Sequence, residues 1–126
     1  MTTTETTTQT TTQDVADALV AMWKAGRFDE SGERYWADDV VSYENMPGDD
    51  MGEIRGKAGV RAKGEWWGAN HEIHGVEIQG PYLNGDQFAV RFRMDITPKG
   101  GARQVLDEVG VYTIREGRIA EERFYY

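Results

Sequence analysis

The stretch Tyr35-Trp36-Ala37-Asp38-Asp39-Val40-Val41-Ser42-Tyr43-Glu44-Asn45-Met46-Pro47 carries most of the information about the fold of this chain. Its pattern predicts a helix that ends at Trp36, a turn at Asp38-Asp39 and a short strand over residues 40–45. The strand places one carboxylate, Glu44, among residues that are typical of a core. Burial of a carboxylate is costly unless it is hydrogen-bonded or has a chemical role, so Glu44 is the first candidate functional residue.

Two helices are predicted within the first 36 residues. Apolar residues at helical spacing indicate a helix from Gln13 to Ala25 that ends at Gly26, and a shorter helix follows over residues 28–36. Residues 2–12 are almost all threonine, and such a segment buries too little apolar area to offset the entropy of ordering. We therefore expect residues 1–12 to form a disordered tail before a single domain of residues 13–126.

The rest of the chain changes from helical to strand periodicity. A Pro-, Gly- and Asp-rich loop is predicted over residues 46–56, and a third helix over 57–70. Four strands with turn residues between them are then predicted over residues 71–82, 87–97, 103–115 and 118–126. The predicted fold class is α+β: three N-terminal helices packed on a curved antiparallel sheet, as a cone-shaped barrel with a pocket between helices and sheet.

Composition limits the possible functions. The chain has 126 residues and no cysteine, which excludes disulfides and thiolate chemistry and fits a cytoplasmic protein. Its net charge of −8 opposes binding to nucleic acid. The sequence has no apolar run long enough for a membrane span and no secretory signal pattern. His71 and His74 are three residues apart on a predicted strand and face opposite sides, so we expect no metal site.

Four short motifs along the chain carry a resemblance to a known family. They are Gly26-Arg27-Phe28-Asp29, Tyr35-Trp36-Ala37-Asp38-Asp39, Arg55-Gly56-Lys57 and Glu116-Gly117-Arg118-Ile119. In this order, residues 13–126 resemble the nuclear transport factor 2-like superfamily and, within it, the SnoaL-like proteins. The resemblance implies the cone fold and often a homodimer through the sheet. It does not imply one reaction, because the fold hosts isomerases, cyclases, epoxide hydrolases, dehydratases and non-catalytic binders.

Ketosteroid isomerase, one member of this superfamily, has a general-base Asp on its first strand. Glu44 occupies that place here, so the resemblance implies that Glu44 is a base. The isomerase also uses a Tyr from its first helix and a protonated Asp from its third meander strand as oxyanion donors. Those positions hold Leu19 and Gly110 in this chain, and Glu108, two residues earlier on the same strand face, can take the place of the acid.

Limonene epoxide hydrolase, another member, has Tyr-x-Asn-Met-Pro on its first strand and Arg-x-Asp on a middle strand. This chain has Tyr43-Glu44-Asn45-Met46-Pro47 and Arg93-Met94-Asp95. The resemblance implies that Tyr43 and Asn45 hold a water, that Arg93 orients carboxylates and that Asp95 protonates the substrate. The position of the water-activating Asp holds Phe124.

The two resemblances place different residues of the first strand in the pocket. Adjacent strand residues point to opposite faces, so Tyr43 and Glu44 cannot both face a pocket in a regular strand. A bulge near Met46-Pro47 would relax this restriction. We favour an inward Glu44, because a carboxylate in this position needs a chemical reason.

The predicted strand over residues 87–97 has one apolar and one polar face. Either the polar face, with Arg93 and Asp95, meets solvent, or it lines the pocket while the apolar face packs in a dimer. Glu108 on the next strand either lines the pocket or pairs with Arg91 or Arg93. Two carboxylates that share a pocket would divide into one base and one acid.

Two hypotheses remain open. The first is a cofactor-independent isomerase, cyclase, dehydratase or epoxide hydrolase that acts on an apolar small molecule. In this case Glu44, Asp95 and Glu108 supply the base and the acid. The second is a non-catalytic small-molecule-binding or dimerisation module, in which the carboxylates are ion-paired for structure. In either case the candidate ligand contacts are Trp23, Asn45, Trp67 and His74.

Overall fold

The structure, a computed structural model, describes the backbone of residues 3–45 and 52–126, and the side chains of this part from residue 11 onward. The helices of the described part are α1 (Thr3–Lys24), α2 (Phe28–Tyr35) and α3 (Lys57–Asn70). Its strands are β1 (Trp36–Glu44), β2 (Glu53–Arg55), β3 (His71–Asn84), β4 (Gln87–Pro98), β5 (Gln104–Arg115) and β6 (Arg118–Tyr125). Within these residues, every helix is too short or too polar to cross a membrane.

The strands form one six-stranded sheet in the order β2-β1-β6-β5-β4-β3. The predicted antiparallel meander of four strands, β3 to β6, is confirmed. β1 joins it in parallel beside β6, and β2 pairs antiparallel with the outer side of β1. The sheet is therefore mixed, and the predicted α+β architecture of three helices on a curved sheet is confirmed with this addition.

The stretch over residues 35–47 folds differently from the predicted helix, turn and strand. β1 starts at Trp36, directly after α2, and the predicted turn at Asp38-Asp39 is part of the strand. The pairing with β6 shifts register between Trp36 and Val41, and both Asp side chains are exposed there. An irregularity in the strand thus lets two charged residues face solvent without a chain reversal. The bulge proposed near Met46-Pro47 lies outside the described residues.

Two further boundaries differ from prediction. Glu53–Arg55, predicted as loop, form β2, because their backbone pairs with the edge of β1 over residues 41–43. The helix α1 begins at Thr3, whereas the sequence predicts a helix start after Thr12. Thr12 is only 1% exposed, so it belongs to the packed part of the domain. The division of the chain into a tail and a domain otherwise stays a prediction.

The apolar face of β4 packs against the helices. Its alternate residues Phe88, Val90, Phe92, Met94 and Ile96 are buried together with Val15, Leu19 and Trp23 of α1. The ring of Tyr112 on β5 lies between these layers, 5.0 Å from Phe88 and 5.0 Å from Trp23. This corrects the interpretation that the apolar face packs in a dimer and the polar face lines the pocket. A homodimer through the sheet stays a prediction, and only the outer face remains available for it.

The indole of Trp36 packs directly on the backbone of α2. A Cβ atom built on Gly32 would lie 2.5 Å from that ring, so the helix can approach the tryptophan only where there is no side chain. The absence of a side chain at Gly32 thereby allows Trp36 to reach under α2 toward β6. This contact links the second helix to the polar residues described below.

The inner face of the sheet is covered more completely at one end than at the other. Along the inner face of β5, Ile114 and Tyr112 are 4% exposed, whereas Glu108 and Leu106 are half-buried and Gln104 is exposed. The inner residues Val76 and Ile78 of β3 are also half-buried. The inner face is thus covered most completely near Ile114 and least completely near the start of β5, at the mouth of the cone.

Candidate functional site

An ion pair between Lys63 and Glu44 lies at the inner face of the sheet. Glu44 is on β1, and the ammonium Nζ of Lys63, from α3, lies 2.9 Å from its Oε1. The two side chains are 13% and 19% exposed, so the pair is largely shielded from water. An ion pair in this setting is held more rigidly than a surface pair, because little solvent competes for its hydrogen bonds.

A second carboxylate, Glu122 of β6, is buried beneath this pair. Its Oε1 accepts a hydrogen bond from Trp36 Nε1 at 2.9 Å, and its Oε2 accepts one from Ser42 Oγ at 3.0 Å. Lys63 Nζ in turn donates to Ser42 Oγ. Five side chains from α3, β1 and β6 therefore form one continuous polar network in the interior.

The aromatic ring of Phe124 forms the centre of this site. Phe124 on β6 lies opposite Glu44 of β1 and Gly110 of β5 in the sheet register. Lys63 Nζ lies 5.1 Å from the ring centroid, within the range of a cation–π interaction. The ring of Tyr112 packs against Phe124 at nearly a right angle, with 6.0 Å between centroids. The site is thus polar around its rim and apolar at its floor.

Glu108 is the third carboxylate on the inner face. It lies opposite Phe92 of β4, and among the described residues it forms no ion pair or hydrogen bond. Burial, followed by the negative charge of Glu44, raises the pKa of Glu108 from 4.5 to about 7. The charge of Lys63 opposes this rise only in part. Glu108 can therefore hold or release a proton near neutral pH, which is the property of a general acid or base.

Two neighbouring groups are shifted in the same direction. Burial raises the pKa of Glu122, although Lys63 and the hydrogen bonds from Trp36 and Ser42 stabilise its ionised form. Burial, together with the charges of Glu122, Glu108 and Glu44, raises the pKa of Tyr112 well above its ordinary value. Burial thus disfavours the charged form of both groups.

Replacement of Glu108 by Gln is expected to change how stability depends on pH. Below about pH 4.5 the carboxyl is protonated in both the native and the unfolded chain, and above it the unfolded chain loses its proton first. Wild-type stability therefore falls as the pH rises from 4.5 to about 7, and the Gln variant lacks this loss. The variant should gain on the order of 2 kcal/mol relative to wild type across this window. Urea unfolding at a series of pH values measures the difference.

Asp107→Asn is the matched control for this prediction, because Asp107 is the adjacent residue of β5 on the opposite face. The hydrogen bond from Arg91 lowers the pKa of Asp107, so the stability that this carboxylate contributes is lost as the pH falls. This trend is opposite to the one expected for Glu108. A stability difference between Glu108→Gln and wild type that stays constant from pH 4.5 to 7 would contradict a raised pKa for Glu108.

Three predicted catalytic residues lie on the outer face of the sheet. Tyr43 packs under the guanidinium of Arg123, 4.0 Å from its ring centroid. Asp95 is paired with Arg103 at 2.8 Å, and that hydrogen bond lowers the pKa of Asp95. Arg93 is exposed, 3.9 Å from Glu77. Their placement outside the interior corrects the expectation that they line the pocket, because period-two alternation sends them to the face opposite the helices.

The predicted ligand contacts are dispersed. Trp23 is buried in the core and donates from Nε1 to Ser31 Oγ at 2.9 Å. Trp67 is half-buried and stacks on His71, with 4.2 Å between centroids. His74 is exposed and bonds to Thr97, and Asn45 is exposed near the carbonyl of Tyr126. The structure brings Glu44 and Glu108 together, and Trp67 lies on the same helix as Lys63.

Sequence reasoning missed Lys63, Ser42 and the polar role of Trp36. The signal for Lys63 was its position on α3, three residues after buried Val60 and four before Trp67, which places a charge on the helix face that meets the sheet. For Glu122 the signal is strand alternation, which allows only one of Glu121 and Glu122 to face inward, and Glu122 is the buried one. The contact of Trp36 with Glu122 had no sequence signal.

A separate cleft of about 540 Å³ lies on the surface between α2 and the β5–β6 turn. It is lined by Glu33, Arg34, Ala37, Asp38, Asp39, Lys57, Arg115, Glu116 and Arg118. Its charges are largely neutralised, since Arg115 pairs with Asp39 at 2.8 Å and Lys57 donates to the carbonyl of Glu33 at 3.0 Å. Because the cleft includes none of the interior carboxylates, we assign the candidate site to the interior.

Comparisons with known protein families and with solved structures agree with each other. Residues 10–126 match the family model for the SnoaL-like domain. A solved structure from Mesorhizobium loti, described as a SnoaL-like polyketide cyclase and also as a carbohydrate phosphatase, is 49% identical with a TM-score of 0.87. That match covers 90% of this chain and 97% of the other. Among curated proteins none matches.

Two more distant structures share the fold. One, from Catenulispora acidiphila, has a ketosteroid isomerase-like fold and matches with 19% identity and a TM-score of 0.69, covering 86% of this chain and 84% of its own. The other, from Pseudomonas putida, is described as a polyketide cyclase and matches with 20% identity and a TM-score of 0.65, covering 87% and 86%. At these identities the comparison concerns the fold alone.

Proposed function

The chain belongs to the SnoaL-like domain family, and from this premise we propose that it is a cofactor-independent acid–base enzyme acting on an apolar small molecule. The family and fold are those of small-molecule-binding proteins with the nuclear transport factor 2-like cone. The proposal adds a reaction class to that description, and it rests on the interior carboxylates.

The observation that carries the proposal is that two neighbouring carboxylates, Glu44 and Glu108, have different electrostatic surroundings. Glu44 is held by the ammonium of Lys63 at 2.9 Å, whereas Glu108 forms no ion pair among the described residues and has a pKa of about 7. An ionised carboxylate beside a protonated one supplies a base and an acid at the same pH. Glu44 would remove a proton from the substrate, and Glu108 would donate one to an oxygen atom.

Among acid–base reactions, similarity to the Mesorhizobium loti structure favours cyclisation. The Mesorhizobium loti relative is described as a polyketide cyclase, which supports a substrate of this class. The chain lacks catalytic groups that two other enzymes of the superfamily require. Leu19 and Gly110 cannot donate to an oxyanion as in ketosteroid isomerase, and Phe124 cannot activate a water as in limonene epoxide hydrolase. A phosphatase reaction fits poorly, because Glu44, Glu108 and the buried Glu122 would repel a phosphate anion.

A non-catalytic binding function is the second candidate, and one observation favours it. The Lys63–Glu44 pair satisfies the charge of the candidate base, as a structural ion pair would. An enzyme would convert the bound ligand to product, whereas a binding module would release it unchanged. Both place an apolar ligand at the mouth of the cone, beside Phe124 and Leu106.

A thermal-shift screen with steroids, polyketides and terpene epoxides tests the proposal. A ligand that fits should raise the melting temperature of wild type, and the same compound should be converted to product when incubated with the protein. Trp67→Ala should reduce the shift if the ligand lies beside α3, and Tyr82→Ala is the control, since Tyr82 is 62% exposed. Ligands that bind wild type with no conversion would contradict the enzyme function and support the binding module.

A further inference from the structure

Tyr112 of β5 carries a hydroxyl that forms no hydrogen bond among the described residues. The residue is only 4% exposed, and its ring packs between Phe88 and Trp23. Within the described part of the chain, no fully enclosed side-chain oxygen or nitrogen lacks a hydrogen-bond partner. The Tyr112 hydroxyl therefore retains some contact with open space, so it is nearly buried, unpaired and still within reach of a ligand.

The absence of a side chain at Gly110 determines where this hydroxyl lies. A Cβ atom built on Gly110 would be 2.9 Å from the hydroxyl oxygen of Tyr112 and 3.1 Å from its Cζ, closer than a side chain can approach. The Tyr112 side chain thus leans along β5 from its own residue toward residue 110. That direction leads toward Glu108 and the mouth of the cone.

Glu108 is the second polar group without a partner on this part of β5. Residues 108, 110 and 112 alternate along the strand, so all three face the interior. Residues 108 and 110 are about 6.7 Å apart along a strand, and the Tyr112 hydroxyl lies over residue 110. A Glu side chain and one bound oxygen atom can bridge this separation, so a ligand oxygen placed there can contact both groups.

The charges around this position favour an uncharged oxygen. Burial, together with the charges of Glu122, Glu108 and Glu44, raises the pKa of Tyr112 well above its ordinary value, so its O–H is available as a donor at neutral pH. A carboxylate or phosphate ligand would be repelled by the same carboxylates. A carbonyl oxygen needs only hydrogen-bond donors, and the ring of Phe124 is an apolar contact for the carbon atoms beside it.

We propose that the site takes an uncharged carbonyl compound with an apolar body, and that the Tyr112 hydroxyl donates a hydrogen bond to its carbonyl oxygen beside Glu108. The inference rests on the proposed acid–base function, to which it adds a substrate class and one further residue. Glu44 removes a proton from the carbon next to the carbonyl, the C–H electron pair forms a C=C bond, and the C=O π pair moves to oxygen. Glu108 gives its proton to that oxygen, which Tyr112 holds, and the product is the enol.

Binding of α-tetralone, a rigid apolar ketone, tests this contact. Its exocyclic alkene analogue has nearly the same shape, with a methylene group in place of the oxygen. We expect wild type to bind the ketone more tightly than the alkene, and Tyr112→Phe should reduce this preference by about 3–10-fold, because one hydrogen bond to the oxygen is lost. Isothermal titration calorimetry with both compounds measures the two affinities.

The infrared stretching band of the bound ketone, isotope-labelled in its carbonyl group, is a second readout. A hydrogen bond to the oxygen weakens the C=O bond and lowers its stretching frequency, so the band should move to higher frequency in Tyr112→Phe. Tyr82→Phe is the matched control, because it removes the same hydroxyl from a residue that is 62% exposed on the outer face. This variant should leave both the preference and the band unchanged.

Tyr112→Phe keeps the ring that packs against Phe88 and Trp23, and its melting temperature should be no lower than that of wild type, because the hydroxyl has no protein partner to lose. A merely structural hydroxyl would lower the melting temperature and leave the infrared band in place. The inference is overturned if wild type does not prefer the ketone, if the band is the same in wild type and Tyr112→Phe, or if Tyr112→Phe does not fold.

Neither measurement requires turnover, so their outcome is separate from that of the proposed function. A shifted band in a protein that converts no carbonyl compound would leave the contact of Tyr112 with the ligand standing and remove catalysis. An unshifted band, combined with loss of turnover in Glu108→Gln, would leave the enzyme function standing and remove the role of Tyr112.

Discussion

Replacement of Glu108 by Gln should lower kcat by about 10²–10⁴-fold with little change in KM. Gln has nearly the same shape as Glu, but it can neither hold nor release a proton near neutral pH. If Glu108 donates its proton in the transition state, the loss falls on the chemical step and not on ligand binding. The measurement is steady-state kinetics with a compound that the ligand screen identifies, with binding of the same compound followed by thermal shift.

Asp107→Asn is again the appropriate control, because the substitution is chemically the same and lies one residue away. Asp107 points to the outer face and pairs with Arg91 at 2.6 Å, so the variant should keep wild-type kcat. The pH profile adds a second readout, since the limb that reports a group near pH 7 should disappear in Glu108→Gln. A kcat within about threefold of wild type would remove Glu108 from the chemistry.

Gly32→Ala should destabilise the fold by about 2 kcal/mol, although alanine is the better helix former. The new Cβ atom would lie 2.5 Å from the indole of Trp36, and that ring cannot move freely because its Nε1 holds Glu122 at 2.9 Å. Overpacking of this kind costs about 1–3 kcal/mol, and we expect the upper end against a helix-propensity gain of about 1 kcal/mol. Urea unfolding measures the loss.

Gly64→Ala tests the same substitution where there is space. Gly64 lies inside α3, and a Cβ atom there would meet nothing within 4 Å, so this variant should be more stable than wild type by about 0.5–1 kcal/mol. The two variants thus have opposite signs. If Gly32→Ala proves as stable as wild type, the close packing of Trp36 on α2 is not a constraint on the fold.

Local sequence patterns were sufficient to predict most of the architecture. Alternation and turn residues predicted the β3–β6 meander because each strand spans adjacent sequence. The same alternation separated Phe92 from Arg93 and Asp95, but it could not say which face the helices cover. The buried apolar face decides that question, because a core forms where the largest apolar area can be removed from water. Asp95 therefore pairs with Arg103 at the surface.

The polar network could not be predicted in the same way. A lysine on a helix is usually interpreted as solvated, and the pairing of Lys63 with Glu44 depends on how α3 crosses β1. The pairing of Trp36 with Glu122 depends on the parallel contact of β1 with β6. Both are tertiary events between elements that are distant in sequence. The inward orientation of Glu44 was the one feature of this network that chemical reasoning about burial favoured.

The parallel contact of β1 with β6 also has a consequence for the order of folding. The hydrogen bond from Trp36 to Glu122 joins residues that are 86 positions apart, whereas the meander strands contact their sequence neighbours. Closure of so long a loop is slow relative to hairpin formation. We expect an early species with a formed meander and a later step in which β1 docks, and pulsed hydrogen exchange would show late protection of β1. The charged interior would then arise in the final step, so a partly folded chain would have its apolar cone before it had any chemistry.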